Sequence, residues 1–149
     1  MQDRFDTDTS QYPFVLVTIP SQRVPDEEVL RFIEGQRQML ARRSKHLMLC
    51  DARNGHAMPA TQRKLFGDWL KESQASSGRY TAGMAIVVDN ALIRGALTAV
   101  LWLVEPACPT KAVGTVEEGF AYLTECGERA GMSGVRELLD AARRVRRSA

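Results

Sequence analysis

The spacing of apolar residues changes period several times along this chain, and each change marks an element. RFDTDTS (4–10) alternates weakly and reads as a polar edge strand, and the YP pair (12–13) breaks the chain after it. FVLVTIP (14–20) is rich in β-branched residues and predicts a central strand, so the two together predict an N-terminal hairpin. Residues 25–43 predict a helix. Pro25 suits its first position, Asp26, Glu27 and Glu28 complement the dipole, and Val29, Phe32, Ile33 and Leu40 form its apolar stripe.

HLMLC (46–50) predicts a strand, and the CDARNGHAMPATQR stretch (50–63) a loop leading into a helix over about 60–74 that SSGR (76–79) ends. MAIVVD (84–89) reads as a strand buried on both faces. Asn90 can cap a helix over 91–104 whose apolar residues run most of the way around, and two prolines in EPACPT (105–110) stop it. KAVGT (111–115) predicts a short strand. Thr115 and Glu118 form a capping-box pattern ahead of a helix over 116–126, and Ser133 precedes a last helix, 134–147. That last helix carries Val135, Leu138, Leu139, Ala142 and Val145 on one face, and arginines crowd its end.

Strands separated by helices imply right-handed parallel crossovers. The expected fold is α/β: a mixed, mostly parallel sheet of about five strands with helices on both faces. Residues 1–127 would form this domain. Residues 128–149 would add an amphipathic C-terminal helix packed on the domain or on a partner.

Composition narrows the class. The 149 residues suffice for one core, with 44% apolar and 26% charged residues, as in an ordinary globular chain. A net charge of +2 gives no case for nucleic acid, and the RRVRR run (143–147) lacks interleaved aromatics. Three widely spaced cysteines suit reduced thiols in a cytoplasm better than a disulfide framework. The longest apolar run, ALTAVLWLV (96–104), is far short of the ~20 residues of a membrane span.

The order of hairpin, helix, then "apolar strand, Asp, loop, helix" resembles the STAS domain of anti-sigma-factor antagonists, the SpoIIAA-like fold. The stretches that carry the resemblance are FVLVTIP, HLMLCDARNGHAMPATQ and GMAIVVDNALIRGALTAVLW. The last, with TKAVGTVEEGFAYL, is similar to STAS-like bacterial domains of unassigned role. The resemblance covers residues 4–126 and omits the final helix. It implies a bacterial regulatory domain that binds a partner protein and is switched by phosphate on a Ser or Thr at the start of the helix after the Asp-ending strand. Counting from Asp51, that motif falls on Pro59, Ala60, Thr61 and Gln62. The family's Asp, Ser and Gly are absent there, and Thr61 is the one phosphate acceptor. The plainer reading is that these residues simply start a helix.

Other chemistry finds little support. His46, Cys50, Asp51 and His56 match no zinc spacing, and no metal or cofactor is expected. Cys50 with His56 lacks the orienting group and oxyanion site that a nucleophile needs. No phosphate-binding loop, dinucleotide fingerprint, nucleophile elbow or zincin motif occurs. In NALIRGALTAVLWL, Arg94 can pair with Asp89, and Gly95 allows close approach by the chain's own sheet or by a second helix.

The sequence therefore predicts a cytoplasmic, non-catalytic interaction domain, binding a protein partner or itself as a homodimer. The surfaces expected to do so are Asn54, Gly55, His56 and Thr61; Arg94, Gly95 and Trp102; and Leu138 and Leu139. The alternatives are a module binding a lipid or small ligand in an apolar pocket beside helix 91–104, and an enzyme using Asp51, His56 or Cys50.

Overall fold

Five strands run in the order β1 (Asp6–Asp8), β2 (Phe14–Thr18), β3 (His46–Asp51), β4 (Thr81–Val87) and β5 (Thr110–Val113) across one sheet. The computed structural model describes residues 4–53, 55, 58–103 and 105–148, with side chains as far as residue 146. β1 pairs antiparallel with β2, with Thr7 opposite Val17. The remaining pairs are parallel, with Leu49 opposite both Leu16 and Ala85, and Ile86 opposite Ala112. This is the mixed, mostly parallel sheet that the alternation of elements predicts.

Period-two alternation sends the strand side chains into two cores. On one face Phe14, Leu47, Leu49, Ala85, Val87 and Val113 pack against α4 (Val116–Arg129) and α5 (Val135–Ser148). On the other, Val15, Val17 and Met48 pack against α1 (Asp26–Leu40), with Phe66 and Trp69 of α2 (Ala60–Tyr80) joining them. The remaining helix, α3 (Ala91–Leu103), stands beside β5.

Several helix ends obey the sequence signals. Thr115 Oγ1 accepts from the Glu118 amide at 3.1 Å, closing the N-terminus of α4. Asn90 Oδ1 accepts from the amides of Leu92 and Ile93, starting α3. Three expectations change. Pro25 is the N-cap of α1 rather than its first helical residue. The helix expected to end at SSGR runs on to Tyr80. Gly78 serves close packing there, because a Cβ on it would sit 3.0 Å from the Ala107 carbonyl oxygen. The last helix starts at Val135, after Gly134 in the left-handed region at φ 67°, so Gly134 and not Ser133 marks its start.

β4 is also not buried on both faces. Gly83, Ala85 and Val87 are buried toward α4, whereas Met84 and Ile86 on the opposite face are only half-covered. The cause is α3. None of its residues is buried, so it does not close over β4 as a crossover helix of a doubly covered sheet would.

Candidate functional site

α3 is the feature that sets this domain apart. Its inward face, Arg94, Leu97, Thr98 and Leu101, is only half-buried. Its outward face is apolar and open to solvent: Leu92 is 85% exposed, Trp102 84% and Leu103 85%. Large apolar side chains in that state, grouped on one helix, mark an interaction surface more than scattered ones do. Arg94 is turned inward, donating from Nη1 to the Val88 carbonyl at 2.8 Å and more weakly to that of Asp89. The expected pair with the Asp89 carboxylate is thus replaced by bonds to backbone oxygens, which anchor the first turn of the helix. A Cβ on Gly95 would meet nothing within 4 Å. The glycine therefore makes no close approach to the chain's own sheet, and Gly95, Ala99 and Trp102 all face outward.

The loop after β3 is the second place the sequence singles out. Asp51 ends the strand and accepts from Arg53 Nε and Nη2 at 2.9 and 2.8 Å, and Arg146 of α5 lies 3.3 Å away. Partial burial pushes this carboxyl up, but the Arg53 hydrogen bonds and the Arg53 and Arg146 charges outweigh it and hold it below the usual carboxylate range. Asn54 and His56 lie outside the described residues. Gly55 is exposed, its amide bonded to the Ala52 carbonyl. Thr61 is exposed in the first turn of α2, whose N-cap is Pro59 without a side-chain cap.

Of the candidate enzyme residues, the two that are described, Cys50 and Asp51, face opposite sides of the sheet. Cys50 belongs to the α1/α2 face of β3, while Asp51 reaches toward α5 on the other face. Burial, then the Asp51 charge, push the Cys50 thiol up to about 12, which leaves it protonated and unreactive near neutrality. His46 sits at the far end of the strand, fully buried between the Ser44 carbonyl and the Thr81 hydroxyl. Among the described residues no three metal-ligating side chains form a cluster.

The C-terminal helix resolves the other way from α3. Leu139 is 1% exposed and packs with Val135 and Ala142 in the core, and Leu138 is half-buried against it. This stripe is covered by the domain itself, so Leu138 and Leu139 are not an open surface for a partner. Amphipathic spacing alone could not separate the two outcomes, since both bury the same face.

An apolar pocket was expected beside α3. A cleft of about 760 Å³ does lie there, but Glu105 and Lys111 line it along with Leu101 and Trp102. Another cavity lies beneath α1 and α2, where residues far apart in the chain meet, and hydrophobic periodicity carries no signal for it.

No protein-family model matches the chain, and no curated protein does. Among solved structures, it is similar to an uncharacterised protein of the DUF3478 family with a SpoIIAA-like fold from Shewanella loihica PV-4. Sequence identity is 15%, the match covers 80% of this chain and 91% of that one, and the TM-score is 0.59. The fold is therefore SpoIIAA-like, as the strand order and the leading hairpin suggest. Among the described residues no helix is long and apolar enough to cross a membrane.

Proposed function

We propose that this chain is a STAS-type regulatory domain that works by protein–protein contact through α3, without chemistry of its own. The observation that carries the reading is that α3 is an apolar helix of 13 residues with none of them buried. A domain that keeps such a helix exposed does so at a cost in solubility, which a partner would offset.

A second copy of the chain fits the pattern best. Leu92, Gly95, Ala99 and Trp102 recur at spacings of three and four and form one outward stripe. Two copies of α3 crossing antiparallel about a twofold axis would set Leu92 against Trp102 at the ends and Gly95 against Ala99 in the middle, large on large and small on small. The stripe carries no charge, so nothing repels a second copy. A membrane surface fits less well, because helices lying on lipid carry Lys and Arg on their polar face and the one charged residue of α3, Arg94, is tied to backbone oxygens. A helix of this length spans only about 20 Å. The dimer should therefore be weak and concentration-dependent, in the range of small transient interfaces.

Thr61, exposed at the start of α2, is where a phosphate switch would act. Phosphate there would meet the positive end of the helix. Three free thiols agree with action in a reducing cytoplasm.

Sedimentation velocity across a concentration series tests the reading. Reversible dimerisation is expected, and Trp102→Asp should abolish it with the fold intact. A strict monomer up to about 1 mM, where even a −4 kcal/mol association would show, would remove the second copy as partner.

A further inference from the structure

The uncovered face of β4 opens a different possibility. Beneath α1 and α2 lies a cavity of about 310 Å³. That is the lower end of the range of small-molecule sites, roughly 300–1,000 Å³. Met48, Cys50 and Met84 of the sheet form its floor, and Phe32, Phe66 and Trp69 its helical walls. Among the described residues that line it, none is charged.

Its frame is pre-built. The Phe5 ring stacks on Phe32 with centroids 4.7 Å apart and tilts against Phe66 at 5.7 Å. Phe5 is held there by its backbone: its amide donates to Glu28 Oε2 at 3.1 Å and its carbonyl accepts from Arg31 Nη2 at 2.7 Å. The methionines give the floor side chains that adapt to an occupant's shape.

Three glutamines interrupt the apolar lining: Gln22 is exposed, while Gln36 and Gln62 are more than nine-tenths buried. Gln36 is 6% exposed and Gln62 3%. Gln62 Nε2 donates to the Val24 carbonyl at 2.8 Å and to Asp26 Oδ1 at 3.0 Å, and Gln36 Nε2 donates to Thr7 Oγ1 at 3.0 Å. Gln62 commits both of its N–H groups within the protein, so it can offer an incoming molecule only its oxygen, while Gln36 commits one N–H to Thr7 and has its oxygen as a further acceptor. A carboxylate or phosphate would find no cation among the described lining residues, and would leave water without a counter-charge. An alcohol or an aromatic amine would find an acceptor.

We propose that this cavity binds a neutral, mostly apolar small molecule that carries a hydrogen-bond donor. The site is separate from the outward face of α3 and does not depend on what α3 binds.

Trp69 stands in the wall and reports on the site. In a Trp102→Phe background it is the one remaining tryptophan, since the chain has two. Titration with N-phenyl-1-naphthylamine, a neutral aromatic amine, should give saturable energy transfer from Trp69 at one probe per chain. Decanol should displace the probe at concentrations about tenfold lower than decanoate, because the charged head has no counter-charge among the described lining residues. Met84→Trp, read by probe emission alone, should block the site, while the volume-conserving Met84→Leu should keep it. If Met84→Trp does not fold, the ranking of decanol over decanoate on the parent protein decides. Absence of saturable binding, or decanoate displacing as well as decanol, overturns the proposal. So does binding that survives Met84→Trp but is lost with Leu92→Asp and Leu103→Asp, because the probe would then sit on α3.

Discussion

His46 Nε2 lies 3.0 Å from Thr81 Oγ1, at the point where β3 and β4 shift register. The Ser44 carbonyl, 3.2 Å from Nδ1, can only accept, so Nδ1 carries the hydrogen and Nε2 accepts from the Thr81 hydroxyl. The neutral ring thus closes both strand starts in a fully buried position. Burial holds its pKa below the usual value, against the Ser44 bond that pulls it up, with the Arg42 charge adding to the depression. The unfolded chain therefore takes up the proton first as pH falls. Stability present above about pH 6.5 should decline below it, toward the folded-state pKa. Urea unfolding between pH 7.5 and 5 checks this. His46→Phe should flatten that dependence while costing about 1–3 kcal/mol for the unpaired Thr81 hydroxyl.

Asp51 should govern a lower window. Its carboxyl is held below the usual range, so its contribution is present above about pH 3.9 and lost as pH falls through the folded value. Asp51→Asn should remove that acid-range loss. Arg146→Ala breaks a partly buried contact of 3.3 Å but leaves Asp51 its Arg53 bonds, and should cost about 1 kcal/mol. Equilibrium unfolding of both single variants and the double variant separates the pair from its surroundings.

Two glycines should respond to alanine with opposite sign. A Cβ on Gly83 would come within 2.6 Å of Cys126 Cβ and 2.7 Å of its sulfur, so Gly83→Ala should destabilise by about 1–3 kcal/mol through overpacking. A Cβ on Gly95 meets nothing, so Gly95→Ala in helix α3 should stabilise the fold by about 0.4–1 kcal/mol. Denaturant midpoints at constant slope decide both.

The thiols should be slow. Burial raises the pKa of Cys50, Cys108 and Cys126 alike. Ellman's reagent at pH 8 should modify all three rapidly in urea and none at a comparable rate in the native protein. A fast native thiol would contradict the packing of its strand or helix.

Substitutions on the outer face of α3 should leave stability nearly unchanged, within about 0.5 kcal/mol for Trp102→Asp, because the side chain is almost fully exposed. A large loss measured by thermal unfolding of dilute protein would mean that α3 packs on its own domain.

Much of this architecture was legible in the chain. The β-branched run 14–20 and the apolar run 46–50 are strands because their side chains fill faces of a sheet. Thr115 and Asn90 start helices because their oxygens satisfy amides that no helix can satisfy internally. These are local effects, written in adjacent residues.

What the sequence could not decide was which apolar face meets which. α3 and α5 both carry apolar stripes, and periodicity treats them alike. Only the packing shows that Leu139 is buried in the core while Trp102 faces water. The SSGR stretch reads as a breaker, yet it stays helical because Gly78 lets the last turn of α2 lie against the Ala107 carbonyl. The cavity beneath α1 and α2 is assembled from residues as distant as Phe5 and Met84. Chain-local propensity fixed the elements and their order. Contacts between residues far apart in the chain decided which faces are buried, which remain open, and where a space is left between them.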